Sequence, residues 1–140
     1  MKSRVLVDTS TLVSALLRPG SVPERALMKA LAGFEVCVSA ESLAELETTL
    51  AQSKFDRYAS SEARSAFMAI IRESAQEFAV NEQDLKMVTP RCRDARDNFL
   101  LALALVAEAG WIVSSDQDLL VMNPWRDIRV VTPAEFLEIR

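Results

Sequence analysis

Val5-Leu6-Val7-Asp8-Thr9-Ser10 is a short apolar run that stops on an acid and passes straight into residues that favour helix starts. With Arg4 it reads as a strand over Arg4–Val7, of the unbroken apolar kind that parallel sheets bury on both faces. A helix is expected from about Ser10 to Leu17, stopping before Pro19-Gly20. A buried strand, then an acid, then a helix is how an α/β unit begins. The open edge of such a sheet, outside the carboxyl ends of its strands, is where ligands bind.

The pattern repeats along the chain. Ser21 can cap a helix that runs to about Ala32 and stops at Gly33, with Glu24 as the reciprocal capping-box residue. A second strand is expected over Phe34–Val38. Ser39 then caps a helix over about Ala40–Gln52, with Leu43, Leu46 and Leu50 on one face. Ser60 or Ser61 opens another helix through about Ser74, with Phe67, Ile70 and Ile71 turned inward. Residues 76–94 read as loop with a short strand or a turn of helix. A helix over about Asn98–Ala109 ends at Gly110, and strands follow at Trp111–Ser114 and Ile128–Val131, with a short helix or turn at Leu119–Met122 between them. Thr132-Pro133-Ala134-Glu135 starts a last helix with a cap, Pro at the first position and Glu at the third. Strands alternating with helices give an α/β fold with a central parallel sheet of four or five strands flanked by helices. No repeat or linker divides the chain, so 1–140 is one domain.

Composition narrows the chemistry. Half the residues are apolar and 26% are charged, an ordinary balance for a globular domain. There is no histidine, which excludes His-ligated zinc, a Ser-His-Asp triad and a His general base. Cys37 and Cys92 are single and far apart, which suits a reducing compartment and a buried apolar role for Cys37. No signal peptide or membrane span is legible, so a cytoplasmic protein with no membrane association is expected. The net charge of -4 disfavours a general nucleic-acid coat protein but leaves a nuclease open, because a cation can neutralise acids gathered in one site.

The informative residues are acids at strand ends and helix starts: Asp8, Glu45, Asp97, Asp116 and Asp118. Each has an ordinary alternative. Asp8 and Asp116 could merely cap the helices that follow, and Asp94 and Asp97 could serve the N-terminus of theirs. Glu45 stands among Glu41 and Glu47 on a helix, where glutamates are usually solvated, but it neighbours the inward Leu46 and Leu43; Glu41 is expected on the solvated face. What distinguishes the acids is the set, which the sheet collects at one edge. Carboxylates so collected repel one another unless a cation joins them, and oxygen-only ligation suits Mg²⁺ or Mn²⁺. Without a cation, at least one should hold its proton.

These segments carry a resemblance. Val5-Leu6-Val7-Asp8-Thr9-Ser10, the Ser39–Leu50 stretch with Glu45, Asp94-Ala95-Arg96-Asp97-Asn98, Ser115-Asp116-Gln117-Asp118 and Val131-Thr132-Pro133-Ala134-Glu135-Phe136 resemble, in order, the motifs of PIN domains. The branch most similar is the toxin components of toxin–antitoxin pairs of the VapC type. Ala95 stands where that branch often has Pro, and Ser115 where Thr is common before the fourth acid. The resemblance implies an endoribonuclease in which Asp8, Glu45, Asp97 and Asp116 are catalytic and hold Mg²⁺ or Mn²⁺, with Asp118 as a further ligand. It implies that the ion lowers the pKa of the attacking water. Asp94, Thr9, Ser10, Asn98 and Ser115 would orient ligands or donate hydrogen bonds from outside, and Arg91, Arg93 and Arg96 could contact RNA phosphates. The implied partners are RNA, a cognate antitoxin and a second copy in a homodimer. Two alternatives stay open. One is a catalytically silent PIN-fold module that docks an antitoxin or RNA. The other is a small-molecule phosphatase with an aspartyl nucleophile, which Ser10 disfavours because it stands where the second Asp of an Asp-x-Asp pair would be.

Overall fold

The computed structural model describes residues 2–139. Its strands are Arg4–Val7 (β1), Glu35–Val38 (β2), Gln76–Glu77 (β3), Trp111–Val113 (β4) and Arg129–Val131 (β5). They form one five-stranded parallel sheet in the order β3-β2-β1-β4-β5. The helices are Thr9–Leu17 (α1), Val22–Gly33 (α2), Ala40–Leu50 (α3), Ser61–Ser74 (α4), Glu82–Lys86 (α5), Ala95–Ala107 (α6), Gln117–Leu120 (α7) and Pro133–Leu137 (α8), with a single 3₁₀ turn at Ser53–Phe55. The fold is thus the single α/β domain expected, with β3 as the fifth strand. Among the described residues no helix is long and apolar enough to cross a membrane.

Alternation along β1 explains the layers. Val5 and Val7 face one core, shared with α1, α2, α3, α4 and α8, while Leu6 faces the other, shared chiefly with α6. Val5 and Leu6 are fully buried, as a central strand of a covered parallel sheet requires. Cys37 is also buried, and desolvation pushes its thiol up to about 11, so it is an inert core residue. From β1 the chain moves to β2 and β3 on one side and returns to β4 and β5 on the other. The reversal of strand order therefore falls between β1 and β4, whose residues Val7 and Val113 are in register. That is the switch point at which open α/β sheets form a crevice.

Local chemistry accounts for most boundaries. Asp8, Ser21, Ser39, Ser60, Asn81, Asp94, Asp116 and Thr132 each cap the following helix through a side-chain oxygen. Three readings need correction. α6 starts at Ala95 rather than Asn98, because Asp94 accepts the Arg96 N–H and lets the next residues form the first turn. It ends at Ala107, because Glu108 takes the left-handed conformation (φ 53°) and Gly110 instead donates its N–H to the carbonyl of Arg4 in β1. In α4, Ile70 is 50% exposed, and Met68 is buried with Ile71 in its place. Residues 67, 68 and 71 fall within about 100° of one another around the helix, and packing turns that face inward. Glu24 does not complete a capping box; its Oε1 accepts the Gly20 N–H.

The C-terminal end is held from a distance. The half-buried Lys29 of α2 donates Nζ to the carbonyls of Phe136, 2.9 Å away, and of Leu137 and Ile139. It satisfies acceptors that the end of α8 leaves without helical partners and places a cation against the helix dipole. Lys29→Met should keep the aliphatic packing and lose these bonds. The expected cost is about 1–3 kcal/mol of unfolding free energy, read as a lower urea midpoint at unchanged slope.

Candidate functional site

A crevice of about 410 Å³ opens at the switch point. Its acidic lining comes from separate elements: Asp8 after β1, Glu41 and Glu45 of α3, Asp94 and Asp97 at the start of α6, and Asp116 after β4. Within it, carboxylate oxygens of Asp94, Asp97 and Asp116 lie within 4.8 Å of one another. Asp97 carries the electrostatic cost. Its carboxyl is pushed up to about 7, first by loss of water around it, then by a shared hydrogen bond and repulsion with Asp116, then by Asp94; the Cys92 thiol works in the other direction. Asp94 is pulled below the usual carboxylate range because Arg96 bonds to it, with Nη2 3.0 Å from Oδ2.

Capping and site-building are the same event here. Asp8 accepts the Thr11 N–H at 2.9 Å through Oδ1, and Asp116 accepts the Asp118 N–H at 2.9 Å through Oδ1. One oxygen of each carboxylate anchors the side chain to a helix start. Asp8 Oδ2 accepts a hydrogen bond from Ser114 Oγ, and the same Oγ accepts the Asp116 N–H at 3.0 Å. Ser114 is completely buried. It therefore couples the acid after β1 to the acid after β4. The sequence reading gave the supporting hydroxyl to Ser115, which is exposed and lies outside the crevice lining. The signal for Ser114 was the parallel register: Val7 opposite Val113 puts the next residues, Asp8 and Ser114, side by side. Ser114→Ala should lower stability by about 1–3 kcal/mol and weaken the Mn²⁺-induced rise in Tm, shifting its midpoint roughly 10–100-fold upward in Mn²⁺. Differential scanning fluorimetry across an Mn²⁺ series measures both.

The remaining residues are placed as follows. Thr9 and Ser10 line the crevice, and Ser10 Oγ donates to Asp8 at 3.3 Å. Glu45 lines it from α3, and so does Glu41 one turn earlier, so the expectation of a solvated face for Glu41 holds only in that both are exposed. Asp118 is half-buried behind the crevice, where its carbonyl accepts from Cys92 Sγ at 3.2 Å. Asn98 is buried and spends its amide on the Cys92 backbone, accepting from N at 2.7 Å and donating to O at 3.3 Å. It shapes the loop that delivers Asp94 rather than facing the crevice. The same loop is held from the other side. Trp125 Nε1 donates to Pro90 O at 2.7 Å, and Arg126 donates to the carbonyls of Thr89 and Met87. Of the three arginines, Arg96 lines the crevice mouth; Arg91 and Arg93 are exposed beyond the lining.

The donor set fits a hard divalent cation. All its atoms are carboxylate oxygens, brought together from the start of α6 and the end of β4, and the loss of water and the repulsion that push the Asp97 carboxyl up are a cost that a cation would offset.

No curated protein matches the chain. Solved structures do. VapBC2 from Rickettsia felis, bound to a DNA fragment from its promoter, superposes with a TM-score of 0.63 at 13% identity, covering 92% of this chain and 98% of that one. VapC20 of Mycobacterium tuberculosis, a sarcin-ricin loop cleaving toxin, gives 0.58 at 18% identity over 89% and 98%. FitAcB from Neisseria gonorrhoeae gives 0.59 at 17% identity over 93% and 98%. Similarity at this level shows a common fold. The acids at the switch point, the five-stranded parallel sheet and the match of residues 4–118 to the PIN domain model together make this chain a member of the PIN domain family.

Proposed function

We propose that this PIN domain is a metal-dependent endoribonuclease acting as the toxin of a toxin–antitoxin pair. The observation that carries the reading is the convergence of Asp94, Asp97 and Asp116 within 4.8 Å. Capping explains why Asp8, Asp94 and Asp116 stand where they do, but Asp97 caps nothing and pays a desolvation penalty in the crevice. That counts against a catalytically silent module. The description of VapC20 as a sarcin-ricin loop cleaving toxin supports the substrate class.

Asp94, Asp97 and Asp116 would hold Mg²⁺ or Mn²⁺, with Asp8 and Glu45 facing the same space and Asp118 behind. When bound, the ion would lower the pKa of the attacking water and offset charge on the phosphate. The chain's own parts have distinct work. Ser114 fixes the separation of Asp8 and Asp116. Asn98, Trp125 and Arg126 hold the loop that sets Asp94 and Asp97. Arg96, 90% exposed at its side chain and tethered to Asp94, can swing its free face to a phosphate at the mouth. With no histidine in the chain, proton transfer falls to carboxylates or solvent.

The test is direct. Protein stripped with EDTA should leave single-stranded RNA intact, and millimolar Mg²⁺ or Mn²⁺ should start endonucleolytic cleavage. Cleavage in excess EDTA, or none with either ion, overturns the proposal. The antitoxin is expected to be encoded by a neighbouring small reading frame, to copurify on co-expression and to relieve a growth defect. A homodimer is expected by size-exclusion chromatography with light scattering.

A further inference from the structure

Of the chain's six phenylalanines, Phe34, Phe55, Phe67, Phe78 and Phe136 pack into or against the two cores. Phe99 belongs to neither. It is half-buried on α6, lines the acidic crevice, and takes no part in the aromatic contacts found among the described residues. The lining mixes carboxylates with apolar side chains, Leu100 and Leu103 of the same helix among them, and the exposed part of the ring is covered only when something with a flat apolar face enters the crevice.

Helix geometry says what that is. Phe99 lies three residues after Arg96 and four before Leu103, and all three line the crevice. It stands about 200° around the helix from Asp97, with Arg96 between them on the stripe. A guanidinium and an aromatic ring one helical turn apart offer a contact for a phosphate and a stacking surface for a base of the same strand. In a duplex the base faces are already stacked, so only an unpaired nucleotide can present one. The crevice volume of about 410 Å³ admits a nucleotide and not a helix.

We infer that Phe99 is the platform on which a base of single-stranded RNA stacks, on the far side of Arg96 from the scissile phosphate, and that it sets the preference for unpaired RNA. The inference deepens the nuclease reading and rests on it for the identity of the phosphate that is cut; the stacking itself is separable.

The probe is a short oligoribonucleotide carrying 2-aminopurine, titrated in Ca²⁺ buffer, single-stranded and as a duplex. The wild-type protein should quench the single strand. Phe99→Tyr and Phe99→Trp should keep the quench. Phe99→Ala and Phe99→Leu should lose it and bind roughly tenfold more weakly, with duplex binding unmoved. In Mn²⁺ the cleavage loss of Phe99→Ala should fall in KM rather than kcat. Because Phe99 lies outside both cores, circular dichroism should be unchanged in all four. Quench with no cleavage under any ion would sink the nuclease reading and leave the stacking platform standing. Cleavage with Phe99→Ala still preferring single strands as the parent does would overturn the platform and leave the nuclease. Phe99→Leu equal to wild type, or no quench by wild type, overturns it as well.

Discussion

Asp97→Asn is expected to lose at least about a hundredfold of Mn²⁺-dependent RNA cleavage while keeping its circular dichroism spectrum. Altering residues that merely orient ligands costs about 10–100-fold, and Asp97 supplies an oxygen of the converging group itself. Asp94→Asn should lose nearly as much. The sequence reading gave Asp94 an outer part, but its carboxylate lies with Asp97 and Asp116 in the converging group, which Asp8 does not join. Asp8→Asn should therefore cost less than Asp97→Asn if the converging group is the metal site. Glu41→Gln and Glu45→Gln form the companion pair, one helical turn apart on the same wall. Glu45→Gln is expected to be the more damaging. A parent rate in Asp97→Asn would defeat the whole assignment, and a dead Glu41→Gln beside an active Glu45→Gln would move the α3 contribution by one turn. Single-turnover cleavage of one labelled RNA, with all five variants in parallel, is the measurement.

Metal-free protein should lose stability as pH rises toward and through neutrality, and Asp97 should be the cause. Its pKa is about 7 in the fold against roughly 3.9 in an unfolded chain, so the native state binds the proton more tightly. The sign follows: the contribution is fully present below the unfolded pKa, declines as pH climbs, and is gone above about 7. Asp97 is partly exposed, so solvent screening reduces the effect, to a fall in Tm on the order of 5 °C between pH 5 and pH 8. Asp97→Asn should flatten that slope and melt above the parent at pH 8 in EDTA. Mn²⁺ should raise the parent's Tm most at pH 8, where the carboxylate is already free to bind, and should leave Asp97→Asn nearly unmoved. Parallel slopes for parent and variant in EDTA would show that the crevice carries no such strain.

Some of this was written in the chain. The β1 strand, the capping residues, the order of elements and the acids at their junctions are local features, decided by apolar runs a few residues long and by side chains that bond their own backbone. So the fold class, the absence of histidine chemistry and the crevice edge followed from residues read in order. Helix faces were less legible: α4 buries Met68 rather than Ile70, because the two flank the Phe67 and Ile71 stripe on opposite sides and only tertiary packing decides which side turns inward. The centre of the site was decided by tertiary structure alone. Strand register between β1 and β4 chose Ser114 over Ser115, and the loop pinned by Asn98, Trp125 and Arg126 brought Asp94 to Asp97 and Asp116. Phe99 looked like one more apolar residue in an apolar helix until the packing of α6 left it outside both cores, on the lining of the crevice. Local sequence sets which groups a segment carries; which of them meet depends on register and rotation, and those are fixed by cores built from residues far apart in the chain.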